Sequence, residues 1–148
     1  MKEDIQKLRE LTGAGVMECK RALVAAKGDF DKAVSIIHER GEVIAQEKKE
    51  RGAKLGAGFL ESYIHNDRVG VLLELHCETD FVARSKDFRE LAHNLVMQIA
   101  AMEPDNIEDL MKQMYIKDET LRVENLVKQA IAKLGENIKI ERFCRYEL

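Results

Sequence analysis

No stretch of this sequence approaches the ~20 apolar residues needed to cross a bilayer. The opening Met1-Lys2-Glu3-Asp4 also lacks the apolar core of a signal peptide, so the chain is expected to be cytoplasmic and to have no membrane partner. Cysteine is scarce: Cys19, Cys77 and Cys144 are odd in number, widely separated and form no Cys-x-x-Cys, which indicates neither a disulfide framework nor a zinc site. His38, His65, His76 and His93 are scattered too, and His76-Cys77-Glu78 is a poor metal site because neighbours on a strand point to opposite faces. There is no excess of positive charge. A net charge of −3 and a pI near 5.9 argue against phosphate-backbone binding as the main business, so no direct nucleic-acid partner is expected.

The signatures of covalent chemistry are missing as well. No nucleophile-base pair stands out, there is no Gly-x-x-x-x-Gly-Lys loop, and no two carboxylates are forced together by their spacing. Asp80 and Asp87 lie on either side of an expected helix boundary, which sets no distance between them. The sequence therefore reads as a non-enzyme with no cofactor and no metal. With 148 residues, 34% charged and 45% hydrophobic, it has an ordinary globular composition, enough for one good core or a modest core plus a satellite.

Three helical patterns come first. Ile5, Leu8 and Leu11 stripe one helix, which Thr12-Gly13 closes; Val16, Cys19, Leu23 and Ala26 stripe a second, ending at Gly28. Asp29 is a good N-cap for a third, whose Phe30, Ala33, Val34 and Ile37 face inward before Gly41 interrupts. A unit this small cannot bury Val16 and Met17 together with Cys19 and Leu23, so Met17 is expected at its surface. From Glu42 to Gly58 the chain is charged and punctuated by glycine; its first part can continue the third helix beyond Gly41 as a linker helix, since Val43, Ile44 and Ala45 are helix-compatible, and it shares no apolar stripe with the residues beyond Gly58. A boundary near Arg51 divides residues 1–50 from residues 51–148.

The second unit opens with a hairpin. Phe59 to His65 and Arg68 to Cys77 alternate like strands around Asn66-Asp67, a turn of the primed type, with Val69, Val71, Leu73, Leu75 and Cys77 on the inward face. A long helix comes next, from about Ser85 to Met102, stopped by Glu103-Pro104-Asp105; a short helical pattern covers Asn106 to Met114, and a second long helix spans about Glu119 to Leu134. Asn137 to Tyr146 forms a third strand in which Phe143 is out of phase, as a bulge near Glu141-Arg142 would make it. The fold class is α+β: three N-terminal helices, then a three-stranded antiparallel sheet with helices packed on one face.

Between the second strand and the long helix lies Glu78-Thr79-Asp80-Phe81-Val82-Ala83-Arg84. Such a junction exposes free backbone N–H groups at the coming helix start, and Asp80 is suited to cap it. On pattern alone Phe81 reads more readily as a core plug than as a functional probe. The wider sequence decides otherwise. Thr79-Asp80-Phe81-Val82, an upstream Leu11-Thr12-Gly13-Ala14-Gly15-Val16-Met17-Glu18-Cys19-Lys20-Arg21-Ala22-Leu23 and a downstream Gly135-Glu136-Asn137-Ile138-Lys139-Ile140-Glu141-Arg142-Phe143 occur in order across nearly the whole chain. Together they resemble the elongation factor Ts family, the guanine-nucleotide exchange factors of elongation factor Tu.

The resemblance implies that the chain binds elongation factor Tu·GDP and promotes GDP release. Asp80 and Phe81, flanked by Thr79 and Val82, would approach the GTPase domain and displace its Mg²⁺. The three-helix unit resembles a ubiquitin-associated domain, with Gly13-Ala14-Gly15 in the place of that family's binding loop. Leu11, Thr12, Gly13, Ala14, Gly15, Val16 and Met17 would dock on another side of the same partner. The competing reading is a binding module that tethers partners through the ubiquitin-associated-like unit without driving exchange. Since the chain stops two residues after Tyr146, it resembles the short form of the family. A sheet with one face open and bearing Leu72 with Leu60 or Phe59 then leads to the expectation of a homodimer.

Overall fold

The computed structural model describes residues 1–50 and 55–148. The boundary expected near Arg51 lies outside the described residues. Three helices open the chain: α1 (Lys2–Thr12), α2 (Val16–Ala25) and α3 (Phe30–Glu50). Gly13 closes α1 in the left-handed conformation at φ 72°, its amide donating to Arg9 O. Asp29 caps α3 by accepting from the Lys32 amide at 3.1 Å. Leu8, Cys19, Leu23, Ala33 and Ile37 make the small core these helices enclose.

The remainder runs β1 (Ala57–His65), β2 (Val69–Cys77), α4 (Asp80–Ala83), α5 (Lys86–Met102), α6 (Ile107–Lys112), β3 (Met114–Tyr115), β4 (Asp118–Arg122), α7 (Val123–Leu134) and β5 (Lys139–Glu147). The main sheet is antiparallel in the order β1-β2-β5. Asn66 and Asp67 both have positive φ, 49° and 56°, as the primed hairpin turn requires. Glu74 pairs with Arg142 but Leu75 with Ile140, so Glu141 is the extra residue of a bulge that returns Phe143 to the inner face opposite Leu73. Leu73, Leu75 and Cys77 meet Phe88, Leu95 and Ile99 of α5 and Val127 and Ile131 of α7 in the main core.

Two expectations need correction. The second long helix starts at Val123 and not near Glu119, because Asp118–Arg122 pairs with Met114–Tyr115 as a small second sheet. Nor does Gly41 interrupt the third helix: of the two readings of this stretch, continuation as a linker helix is the one that holds. α3 continues through it along α7, where a Cβ at Gly41 would lie 2.5 Å from Lys128 O, so glycine is what lets the two backbones approach. Ile44, beyond that glycine, packs on the main core, and Ala132 of α7 packs on the N-terminal one. The segment after Gly41 thus shares apolar surface with the second unit, which its charged composition concealed.

Candidate functional site

β2 ends at Cys77, and after two intervening residues the chain makes the single turn α4. Its N-cap is Thr79 and not Asp80: Thr79 has extended backbone angles and its hydroxyl accepts from the Val82 amide at 3.3 Å. Threonine wins because the residue whose side chain can reach N3 is the one still outside the helix, whereas Asp80 is already the first helical residue. There it is an acidic residue in the first turn, where the peptide dipoles favour negative charge. Ser85 repeats the device for α5, accepting from Phe88 N.

The four residues of the stretch do not share one environment. Val82 and Ala83 are buried in the main core and anchor α4 from beneath. Thr79 and Asp80 are exposed. Phe81 is 86% exposed, the whole ring standing in solvent on a turn fastened at its other side. That geometry removes the core-plug reading, since the plug at this junction is Val82. Glu136 grips Thr79 from 57 residues away, accepting from both its amide and its hydroxyl. Sequence reasoning singled out the motif containing Glu136 but assigned that residue no contact. Below, burial pushes the Cys77 thiol up, helped by the nearby Glu136 charge, and its Sγ donates to Thr79 O at 3.3 Å.

The upstream stretch divides in the same manner. Thr12 and Ala14 are interior: the Thr12 hydroxyl donates to Leu8 O and accepts from the Ala14 amide, which shapes the connection from α1 to α2. Leu11 (53%), Val16 (49%) and Met17 (60%) are exposed, while Cys19 and Leu23 fill the core. Gly13 and Gly15 form the backbone of the connection, and a Cβ at Gly13 would lie 2.7 Å from Lys133 Cδ. Lys133 also pairs with Asp87 at 3.0 Å. The last turn of α7 and the residues just after it therefore touch both stretches, Lys133 beside Gly13 and Glu136 on Thr79.

Beyond these stretches, the face of the sheet turned away from α5 carries Leu60, Ile64, Leu72, Cys144 and Tyr146, all exposed. Phe59 belongs to the opposite face, partly buried with the Arg89 guanidinium 4.1 Å from its ring. On the open face Glu74 accepts from His76 and Arg142, which holds its carboxyl below the usual range and raises His76. Among the described residues no cluster of three His, Cys, Asp or Glu is arranged to hold a metal ion.

A family model described as Elongation factor TS matches residues 78–148. Elongation factor Ts of Thermotoga maritima is 40% identical to this chain over 97% of it and 94% of the relative. The protein of the same name from Pseudothermotoga lettingae is 41% identical over 95% of this chain and 93% of the relative. For Rippkaea orientalis the values are 38%, 99% and 77%. The alignment to the Thermotoga protein runs over 188 positions against 148 residues here, so that relative has stretches without counterpart in this chain. Three motifs spread over the chain, the fold that brings two of them to one end of α7, and this identity over nearly the full length agree: the chain belongs to the elongation factor Ts family of translation elongation factors.

Proposed function

We propose that this chain binds elongation factor Tu·GDP and drives GDP release by presenting Phe81, with Asp80 beside it, to the GTPase domain. The observation that carries this reading is the 86% exposure of a phenylalanine on a turn fastened by buried neighbours. An apolar ring of this kind gains by entering an apolar slot, about 1.5–3 kcal/mol for a fully buried side chain. Insertion between helices of the partner disturbs the ground that holds Mg²⁺, and without that counter-charge the diphosphate is held less well. The factor forms and breaks no covalent bond in this scheme. Linkage sets its logic: exchange factor and nucleotide weaken each other's binding by the same factor.

Leu11, Val16 and Met17 supply a second contact on the same partner, arranged by the buried Thr12 and Ala14 and by the backbone at Gly13 and Gly15. The open face of the sheet, with Leu60, Ile64, Leu72 and Tyr146, is the surface on which a second copy of the chain would pack. The setting is the cytoplasm, where translation runs. Stopped-flow release of a fluorescent GDP analogue from elongation factor Tu tests the reading. Acceleration by catalytic amounts of the protein supports it, whereas binding without acceleration leaves the tethering module as the better description.

A further inference from the structure

The Gly135-Glu136-Asn137 stretch belongs to neither docking surface, yet it is where the chain holds Thr79. β2 and β5 pair backbone to backbone only as far as His76 opposite Lys139. Beyond that rung, side chains take over. Glu136 Oε1 accepts from the amides of Glu78 (3.2 Å) and Thr79 (3.0 Å), and Oε2 accepts from the Thr79 hydroxyl (2.7 Å). In return Glu78 Oε2 accepts from the Asn137 amide at 2.8 Å. Two parting segments are thus tied by carboxylates reaching across from both sides, through charge-assisted bonds about twice as strong as neutral ones.

The tie reaches α4 through one hydroxyl. Threonine has one proton to give and two lone pairs. Committing the proton to Glu136 turns a lone pair of Thr79 Oγ1 toward the Val82 amide, which is the cap of α4. A four-residue helix is too short to hold itself, because the first turn fixes several torsions for a single hydrogen bond. Buried Val82 and Ala83 hold it from below, and the capped, braced Thr79 holds its leading end.

We propose that Glu136 is the positioning residue of the Thr79–Val82 turn, with Glu78 completing the brace, a role that rests on the exchange reading above. Glu136 sets the pitch of α4 and so the direction of the Phe81 ring before the partner arrives. A ring already aimed does not have to be ordered on binding, so the brace acts on affinity for elongation factor Tu and leaves the rate within the complex alone.

The test compares the full chain with its Glu136→Ala and Glu136→Gln variants. In Glu136→Ala the amides of Val82 and Ala83 should exchange hydrogen about tenfold faster, with those of Leu73 and Leu75 unchanged. The concentration giving half-maximal GDP release should rise about tenfold while the rate at saturation stays within about twofold. Glu136→Gln keeps an acceptor for the backbone amides but loses the anion that takes the hydroxyl proton, and should fall between. Unchanged exchange at Val82 and Ala83 would overturn the brace. So would protection lost equally at Leu73 and Leu75 in both variants, since Glu136 would then support stability in general. Faster local exchange with an unchanged half-saturating concentration would overturn the link to the partner. If the unmodified protein fails to speed GDP release, the proposed function falls, and the amide measurement alone decides whether the brace exists.

Discussion

Phe81 contributes almost nothing to its own core, because 86% of it is in water and Val82 occupies the buried place beside it. Phe81→Ala should therefore leave the thermal midpoint where it is. The loss of burial in a partner slot should slow catalysed GDP release by about tenfold to a hundredfold. Differential scanning calorimetry beside stopped-flow exchange separates the two effects, and a lowered midpoint would return the ring to a structural role. Asp80→Ala should act in the same direction on exchange with a smaller loss of binding, since Asp80 does not cap α4 and its removal leaves Thr79 on Val82. Thr79 carries the opposite burden: it is part of the fold of the turn as well as of its surface. Such differences between adjacent residues are invisible in the motif, where the four positions look equivalent.

At the scale of elements, the packing of α3 on α7 decides how the N-terminal helices are held. Gly41 faces the backbone of α7 at a distance that leaves no room for a Cβ. Gly41→Ala should improve helix propensity yet destabilise the protein by about 1–3 kcal/mol, because the clash is with a main-chain oxygen that cannot swing away. Urea unfolding measures it. Three residues earlier His38 Nε2 lies 3.0 Å from Gln129 Nε2 of α7, and an amide nitrogen can only donate, so the imidazole accepts and is neutral there. Burial, then the nearby Lys128, lowers the His38 pKa from its usual 6.5. In the window between the depressed value and 6.5 the unfolded chain binds the extra proton. The contribution is therefore present above 6.5 and lost as pH falls through the folded value. On going from pH 7.5 toward pH 5 the His38 contribution should be lost, so the parent should change less favourably over that range than His38→Gln in urea unfolding. His76 works the other way, since its bond to Glu74 raises its pKa; that contribution is present below 6.5 and lost as pH rises through the raised value. Comparing His38→Gln with the parent separates the two histidines.

For the whole molecule, the two units are joined by more than a tether. α3 covers one side of α7, Ile44 packs on the main core, and Lys128 pairs with Glu42. Deleting residues 1–50 should weaken exchange by removing one docking surface, and should also lower the unfolding midpoint of what remains. Full stability in the truncated protein would show that α7 needs no cover. The open sheet face calls for a different measurement. Light scattering at micromolar concentration should give about twice the 16.9 kDa chain mass, and Leu72→Lys, at a half-exposed position opposite Cys144, should return the monomer without unfolding it. A monomer that still exchanges nucleotide would mean that the translation partner, and not a second copy, meets this face.

Local physics was enough to read much of this chain. Alternation with period two specified the inward residues of β2, the Asn66-Asp67 pair specified the primed turn, the stripe from Phe88 to Ile99 specified α5, and a phase slip at Phe143 located the bulge at Glu141. Each is a property of neighbouring residues and is written in their spacing. Tertiary structure decided the rest. Thr79 became the cap in place of Asp80, Asp118–Arg122 became a strand beside Met114–Tyr115, Gly41 became a contact with Lys128 O, and Glu136 closed on Thr79. In every one of these cases the partner lies beyond the reach of local pattern or competes with an equally good local choice. Whether Phe81 would plug the core or stand clear of it was likewise settled by Val82 filling the space first.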